Sequence, residues 1–305
     1  MAFLPSFRQL QYLVVLAEHR HFTKAAEACF VSQSTLSAGI KELEQSLGVL
    51  LFERDRQHVA LSLAGEAVLE KAKNLLAAAG DLGDTAKALA EPQSGLLRLG
   101  MIPTIAPFVL PDWLEHWRQA YPKLSFQLRE AMTHELIDDL KHRRLDAALL
   151  ALPIDEQGLQ SLFIHDDELW LVGKAKDPIF RAKALEWSKL SLDRLLLLQE
   201  GHCLRDHSLA ACGERPSPHF EGVEASSLLT LIQMAQSDMG MALLPELAVK
   251  SGLLRHRDLI ARPLPSPAPR RQIAFLARPS SARWADLQAL AQCIQAARRQ
   301  RAMAK

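Results

Sequence analysis

Apolar residues recur at helical spacing over the first sixty residues of the chain. They predict a helix over residues 7–18, a short helix over 23–29 and, after a turn, a third helix from Gln33 to Leu47 that Gly48 ends. Residues 50–63 alternate weakly between apolar and polar positions, which favours a two-stranded wing. The pattern therefore predicts a small helical domain with a short hairpin.

A repeat of seven residues marks the next segment, which predicts one long helix over residues 65–90. Its apolar positions are Val68, Leu75, Leu82 and Leu89, with Ala72, Ala79 and Ala86 between them. Such a seam is typical of a coiled-coil dimerisation face. The alternative is an amphipathic helix packed on its own domain, and Gly80 and Gly83 weaken the helix in either case.

Strand and helix patterns alternate beyond the turn-rich segment Glu91–Gly95. Strands are predicted at 96–102, 124–129, 145–152, 169–173, 195–199, 219–223, 240–244 and 271–276, and helices at 107–120, 134–143, 204–212, 226–237 and 283–299. This order predicts an α/β region with largely parallel sheets.

Composition narrows the class of protein without identifying it. The 305 residues include 36 Lys and Arg, 35 Asp and Glu, and 49% hydrophobic residues, which suits two or more soluble domains and excludes a disordered chain. Uncharged runs stay well below the roughly 20 residues of a membrane span, and the N-terminus lacks a signal-peptide layout, so we expect a cytoplasmic protein. Because the net charge is only +1, a DNA-binding hypothesis must rest on a motif.

The second and third helices, joined by a tight turn, have the pattern of a helix-turn-helix. In such a unit the start of the second helix faces base edges in the major groove, and basic residues beyond it contact phosphates. The candidate DNA-contacting residues are Thr23, Ser32, Gln33, Ser34, Thr35, Ser37, Lys41 and Arg54, with Arg56 beside the last. The alternative is that Ser32 only caps the helix and that its first turn is solvated.

Two cysteines nine positions apart give the second half its most distinctive chemistry. Cys203 stands where a helix is predicted to begin, and that helix terminus, His202 and Arg205 would each stabilise a thiolate. Oxidation of Cys203 would give a sulfenic acid that Cys212 can resolve, but nine residues of helix span about 13 Å and a disulfide needs Cα atoms within about 7 Å. Bond formation would therefore require the helix to unwind.

The alternative is that both thiols are small buried hydrophobes, which is also our interpretation of Cys29 and Cys293. No Cys or His cluster has the spacing of a zinc site, and we expect neither a metal nor a cofactor.

The run Phe22–Glu27, Val31–Ser37, Ile40–Glu44 and Leu51–Arg54 resembles the N-terminal domain of LysR-type transcriptional regulators, with Ser34 where many members carry Pro. The resemblance implies a winged helix-turn-helix over residues 1–62, a dimerising linker helix over 63–92, and a regulatory domain over 93–305. It also implies that this last domain is built from two α/β lobes like a periplasmic binding protein. Lobe I would cover about 93–165 and 269–305, and lobe II about 166–268.

The segment Gly201–Asp206, followed by Cys212, is similar to the hydrogen-peroxide-sensing activators of this family. Leu99–Pro107, Glu130–His134, Leu243–Val249 and Pro269–Arg271 extend the similarity. It implies that Cys203 is the peroxidatic residue and Cys212 the resolving one, that Thr104, Thr133 and His202 line a peroxide pocket, and that Arg205, Asp206 and Arg271 support it. Thr133 as a helix cap and Arg271 as a surface residue remain the alternatives.

The sequence departs from these activators after Cys212, where the Gly213–Pro218 loop is short and Leu229 occupies a position that is commonly acidic. Both departures bear on the rates of disulfide formation and reduction.

The expected protein is a transcriptional activator of antioxidant genes rather than an enzyme. Its partners would be double-stranded DNA, hydrogen peroxide, RNA polymerase, a glutaredoxin or thioredoxin system for reset, and further copies of itself in a homodimer or homotetramer. Two alternatives are a LysR-type regulator of a small organic effector, insensitive to Cys203→Ser, and a thiol peroxidase that needs no DNA.

Overall fold

The structure is a computed structural model that describes residues 4–54, 59–155, 158–181, 185, 194–212 and 224–303. The chain divides into two compact units, Met1–Ala86 and Lys87–Lys305. Among the described residues, no helix is both long and apolar enough to cross a membrane.

The first unit is a three-helix cluster followed by a hairpin and a long helix. Its elements are α1 (Phe7–His19), α2 (Phe22–Ala28), α3 (Gln33–Leu47), β1 (Phe52–Arg54), β2 (Val59–Leu61) and most of α4 (Leu63–Ala90), whose last residues belong to the second unit. Ser32 caps α3 by accepting a hydrogen bond from the Thr35 backbone N–H at 3.1 Å, and Gly48 ends it with a φ of 71°. The predicted helices and wing are confirmed, with bounds within two residues for the helices.

The second unit is a mixed eight-stranded sheet covered by helices. Its elements are β3 (Gly95–Met101), α5 (Ala106–Ala120), β4 (Leu124–Glu130), α6 (Thr133–Lys141), β5 (Ala147–Leu152), β6 (Gln160–Lys174), α7 (Pro178–Arg181), β7 (Leu195–Leu196), α8 (Cys203–Cys212), α9 (Leu228–Gln236), β8 (Met241–Pro245), α10 (Glu246–Lys250), β9 (Leu259–Pro263), β10 (Arg270–Ala277) and α11 (Trp284–Met303). The strand order is β4-β3-β5-β10-β6-β8-β7, and β9 also pairs with β6.

Two separate apolar cores lie in this unit, one at each half of a shared strand. The first core gathers residues of β3, β5, β10, α5 and α11, and the second gathers residues of β8, α9 and the second half of β6. β6 joins them, because its first half pairs with β10 and its second half with β8 and β9. The second unit is thus a pair of α/β lobes of the periplasmic-binding-protein type, and in the chain it follows an N-terminal unit with a helix-turn-helix.

The prediction of largely parallel sheets is wrong. β3 pairs in parallel with β4 and β5, but β10 is antiparallel to β5 and β6, and β6 is antiparallel to β8 and β9. The chain passes from the first lobe to the second along β6 and returns along β10. These two long strands are therefore antiparallel to each other and to the neighbours just named. A buried strand has the same apolar pattern in either direction. β9 was not predicted, and the predicted strand at 219–223 lies outside the described residues.

Candidate functional site

Cys203 is the first residue of α8 and is only 7% exposed. The chain reaches it through Gly201, whose φ of 92° is a conformation that favours glycine. The Cys203 side chain packs in the core of the first lobe, whereas Leu204, the next residue, packs in the core of the second. The start of α8 is therefore fixed to both lobes at once.

A buried arginine lies beside this helix start. Arg271 of β10 donates through Nη1 to the Thr104 hydroxyl at 2.9 Å and through Nη2 to the Thr104 carbonyl at 3.0 Å. Its Nε donates to Asp167 Oδ2 at 3.0 Å, and Asp167 Oδ1 accepts from the Leu247 backbone N–H, also at 3.0 Å. Since Arg271 is fully buried, the alternative of a surface strand residue is wrong.

Opposing influences act on the Cys203 thiol. Burial is the largest and raises its pKa, and the Asp206 carboxylate raises it too; the Arg271 charge and a hydrogen bond with the Thr133 side chain act to lower it. The net effect is a pKa above the ordinary value of the thiol. The site therefore keeps Cys203 protonated at rest while placing one cation and one hydroxyl where they stabilise the anion.

The sequence suggested Arg205 and His202 as the groups that stabilise a thiolate, but neither of them supplies a positive charge to the Cys203 thiol. Arg205 Nη1 donates to the Leu198 carbonyl at 2.9 Å and to Glu224 Oε1 at 2.8 Å. Burial lowers the pKa of His202, so its ring is neutral. The cation that favours the thiolate is Arg271, which the chain supplies from a distant strand.

A tight pocket brings together four of the predicted site residues. Thr104, Thr133, His202 and Cys203 line it, together with Gly201 and Met132 among others. His202 Nε2 is buried and has no hydrogen-bond partner among the described residues. Thr133 is the first residue of α6 and Met132 is its cap, so the alternative of Thr133 as the helix cap is wrong.

Cys203 also lines a wider groove of about 380 Å³. Thr133, Gly201, Cys203 and the exposed Asp206 border it, along with polar residues of α6. Cys203 therefore lines both a tight pocket and a wider groove. No group of three His, Cys, Asp or Glu side chains in the described part of the chain is arranged to hold a metal ion.

Cys212 is the last residue of α8, and its side chain lies outside the described residues, as does the Gly213–Pro218 loop. Because α8 is a continuous helix, the Cα atoms of Cys203 and Cys212 are separated by about 13 Å at 1.5 Å per residue. A disulfide needs about 7 Å or less, so the helix as described is incompatible with that bond. Cys29 and Cys293 are half-buried, and burial raises the pKa of each.

Most of the predicted DNA-contacting residues are exposed on the helix-turn-helix. Thr23, Ser32, Gln33, Ser34, Thr35 and Lys41 are exposed, and Ser37 is half-buried. Thr23 Oγ1 donates to Gln33 Oε1 at 2.9 Å, which holds the amide of the recognition helix in one orientation. Arg54 ends β1, and its side chain and Arg56 lie outside the described residues.

The apolar seam of α4 divides into two parts. Ala72 is buried in the core of the first unit and Val68 packs against it, whereas Leu75 and Leu82 are 51% and 75% exposed. The side chain of Leu89 lies outside the described residues. The exposed leucines form an apolar face that the described part of the chain does not cover.

Sequence reasoning missed Asp167 and His207. Asp167 is a fully buried carboxylate in a strand, and His207 is a buried histidine one helical turn after Cys203. Asp167 stands in the polar run His165–Glu168, so its sequence context did not indicate a buried, paired carboxylate. His207 had only its spacing from Cys203 to distinguish it.

Two family models match the chain. Residues 7–66 match "Bacterial regulatory helix-turn-helix protein, lysR family", and residues 90–299 match "LysR substrate binding domain". The winged helix-turn-helix and the two-lobed domain described above fit both. The chain belongs to the LysR family of transcriptional regulators.

Relatives within this family give a finer comparison. The chain is 46% identical to the HTH-type transcriptional regulator EstR of Acinetobacter baylyi, over 92% of this chain and 93% of that protein. It is 40% identical to a probable hydrogen peroxide-inducible genes activator of Streptomyces viridosporus, over 97% and 95% of the two chains. A full-length OxyR variant from Pseudomonas aeruginosa has a similar structure, with a TM-score of 0.74 and 35% identity over 96% of this chain and 98% of that one.

Proposed function

We propose that this chain is a peroxide-sensing transcriptional regulator whose signal is read by Cys203 and whose output is an altered complex with DNA. The observation that carries the proposal is the convergence of the Thr133 side chain and the Arg271 charge on a buried thiol at a helix start. Both act on the charged form of sulfur, which is the form that attacks a peroxide. The likeness to peroxide-inducible activators over nearly the whole chain supports the same conclusion.

The first chemical step is oxidation of Cys203. Its thiolate attacks one peroxide oxygen, the O–O bond breaks, and the other oxygen leaves as hydroxide and takes a proton. The product is a sulfenic acid and water. Thr104, Thr133 and His202, whose Nε2 has no partner among the described residues, line the pocket in which the two oxygens would be held. Arg271 donates to Thr104, and Asp206 borders the neighbouring groove. Arg205 supports the site at a distance, through Glu224.

The second step joins Cys203 to Cys212. The Cys212 thiolate attacks the sulfenic sulfur, an S–S bond forms, and water leaves. Because the two Cα atoms are about 13 Å apart along α8, the helix must unwind before this step. The new bond would prevent α8 from reforming and would change the packing of both lobes at its N-terminus. A cellular dithiol system of the glutaredoxin or thioredoxin type would restore the two thiols.

The output is a change of DNA-bound assembly. The exposed leucines of α4 supply a dimerisation face, and pairing of the regulatory domains would extend the dimer to a homotetramer. A changed regulatory domain would alter the spacing of the helix-turn-helix units on the operator and the contact with RNA polymerase. The genes activated would be those for antioxidant defence.

The test joins both halves of the claim in one set of samples. Reduced full-length protein is titrated with sub-stoichiometric hydrogen peroxide, its disulfides are mapped by mass spectrometry, and the same samples are footprinted on DNA upstream of the gene. We expect a Cys203–Cys212 bond and an altered footprint, both lost in Cys203→Ser and both retained in Cys293→Ser. If no disulfide forms, or if it forms and the footprint is unchanged, the result would contradict the proposal and favour a regulator that binds a small organic effector.

The alternative is a LysR-type regulator that binds a small organic effector. Two observations favour it: the 46% identity to EstR, whose name carries no mention of peroxide, and the open groove of about 380 Å³ beside Cys203. Such a regulator would respond to its effector equally well in wild type and Cys203→Ser.

A further inference from the structure

His207 lies one helical turn after Cys203 on the buried face of α8, and its side chain is 8% exposed. Its Nε2 is 3.3 Å from the carbonyl oxygen of Pro153, the residue that follows β5. A carbonyl oxygen only accepts hydrogen bonds, so Nε2 carries the hydrogen and the neutral ring is held in one tautomer. This bond ties the second turn of α8 to the chain leaving β5.

The other ring nitrogen has no such partner. Nδ1 of His207 is buried and makes no hydrogen bond with any described residue. A proton on Nδ1 would therefore place a cation in a buried site. Burial is the main reason that the pKa of His207 lies below its ordinary value; the Arg271 charge lowers it further, while the bond to Pro153 and the Asp206 carboxylate act to raise it.

The charged groups that face the ring come from two elements. Asp206 belongs to α8 itself and is exposed, so water screens its charge. Arg271 belongs to β10 and is fully buried, with Asp167 of β6 as its partner. A protonated His207 would thus be repelled by a buried cation and would gain by moving into water, which requires the helix to leave its site.

We propose that His207 is a positioning residue of the redox switch: its bond to the Pro153 carbonyl keeps α8 wound, and protonation of its ring releases the helix. The inference rests on the proposed function, because the release matters only if Cys203 must reach Cys212. The condensation itself is unchanged: sulfenic acid and thiol give a disulfide and water. His207 contributes by setting how often α8 opens for that reaction.

Three variants of the full-length protein separate this role from helix stability in general. His207→Gln keeps a neutral N–H donor at every pH, and His207→Phe keeps a ring but loses both the donor and the titration. Ala210→Gly, at an exposed position of α8, weakens the helix through its backbone alone and leaves His207 in place. The last variant is the matched control.

The first measurement uses reduced protein and no peroxide. Hydrogen–deuterium exchange of the α8 amides is followed from about pH 7.5 to 5.5, the range around the ordinary histidine pKa, and corrected for the intrinsic exchange rate. We expect α8 of the wild type to open more as the pH falls, with no such trend in His207→Gln or His207→Phe. His207→Phe opens about two- to tenfold more at pH 7.5, the value of one hydrogen bond, and Ala210→Gly opens more but keeps the wild-type trend.

The second measurement adds peroxide and separates sulfenic acid from disulfide by trapping and mass spectrometry. The rate of disulfide formation in the wild type is divided by the rate in His207→Gln, which cancels the titration of the Cys212 thiol. We expect this ratio to rise as the pH falls. Identical pH trends in wild type and His207→Gln would overturn the inference. If hydrogen–deuterium exchange shows the expected pH dependence but peroxide does not oxidise Cys203, the proposed function is contradicted, and with it the role of His207 in a redox switch. His207 would then only hold α8 in place.

Discussion

Arg271 and Asp167 form an ion pair in which both side chains are completely buried, with Nη2 and Oδ2 2.9 Å apart. Each partner also makes a hydrogen bond outside the pair, since Arg271 donates to Thr104 and Asp167 accepts from the Leu247 backbone N–H. Arg271 belongs to β10 and Asp167 to β6, whereas Thr104 follows β3 and Leu247 belongs to α10. The pair and its partners therefore join four parts of the second unit. The same arginine acts on the Cys203 thiol. One guanidinium therefore belongs to the buried ion pair and also acts on the electrostatics of the thiol.

Removing this guanidinium should be costly. Arg271→Ala would leave the Asp167 carboxylate buried without its partner, and breaking a buried pair in this way destabilises a protein by about 3–5 kcal/mol. The measurement is the urea unfolding curve of the full chain. Arg270→Ala is the control, because that neighbouring side chain is 63% exposed and lies 3.5 Å from Asp166. We expect it to change stability by no more than about 0.5 kcal/mol. Equal losses in the two variants would contradict the assigned role.

Thr133 should affect the reactivity of Cys203 without affecting the fold. Its side chain forms a hydrogen bond that lowers the pKa of the thiol, so Thr133→Val would raise that pKa further. The thiolate fraction near pH 7 would then fall by about two- to tenfold, the value of one hydrogen bond. The rate of Cys203 alkylation against pH, resolved by mass spectrometry, measures this fraction. Thr133→Ser retains the hydroxyl and should keep the wild-type profile. Equal shifts in both variants would contradict the role of the hydroxyl, because only Thr133→Val removes it.

Much of the fold was predictable because local patterns encode it. Helix α3 was predicted with its observed bounds, since Ser32 and Gly48 are strong cap signals on either side of an apolar face. Strand direction was not predictable, because β10 has the same run of apolar residues whether it lies parallel or antiparallel to β5. The path between lobes, rather than any local residue, decides that direction.

The candidate site was predictable to a similar extent. The segment around Cys203 and the resemblance named the thiol and its pocket, because those residues are close in the sequence. The electrostatics depended on partners that are distant in the chain, since Arg271 approaches Cys203 only once β10 has paired with β6. Arg205 is closer in sequence but turns toward Glu224. Sequence proximity therefore identified the wrong cation.

Stability should fall with mild acid, in part through His165. This side chain is 8% exposed, its Nδ1 lies 2.7 Å from the Asp166 carbonyl oxygen, and it packs edge-on against Trp113. Burial and the Arg298 charge lower its pKa, although Asp166, Asp167 and Glu246 act to raise it.

The unfolded chain takes up this proton near pH 6.5, and the folded chain only at a lower pH. The contribution of His165 is therefore complete above about pH 6.5 and is lost as the pH falls toward the folded-state pKa. We expect His165→Gln to flatten the slope of unfolding free energy against pH by up to about 1.4 kcal/mol per pH unit between pH 6.5 and 5.5. Urea unfolding at several pH values measures this slope. The same substitution at His134, which is exposed on α6, is the control, and an equal flattening there would contradict the prediction.

The hydrogen bond from Thr23 to Gln33 should set base preference. With Oε1 of Gln33 engaged by Thr23 at 2.9 Å, its Nε2 is the amide group left to contact a base, as a donor. Bidentate recognition of adenine needs both the oxygen and the nitrogen of the amide, whereas acceptors such as purine N7 need only the donor. In Thr23→Val the amide is released, and we expect a broader base preference at the contacted position.

Selection of bound sequences from a randomised operator library, at one fixed salt concentration, measures this preference. Thr23→Ser keeps the hydroxyl and should select the wild-type sequences, while Gln33→Ala should lose about 1–3 kcal/mol of discrimination at one base pair. A uniform loss of affinity in Thr23→Val with the base preference intact would show that Thr23 contacts a phosphate instead, because phosphate contacts fix position without reading sequence. The two outcomes are distinct because one changes the ranking of sequences and the other changes only the strength of binding.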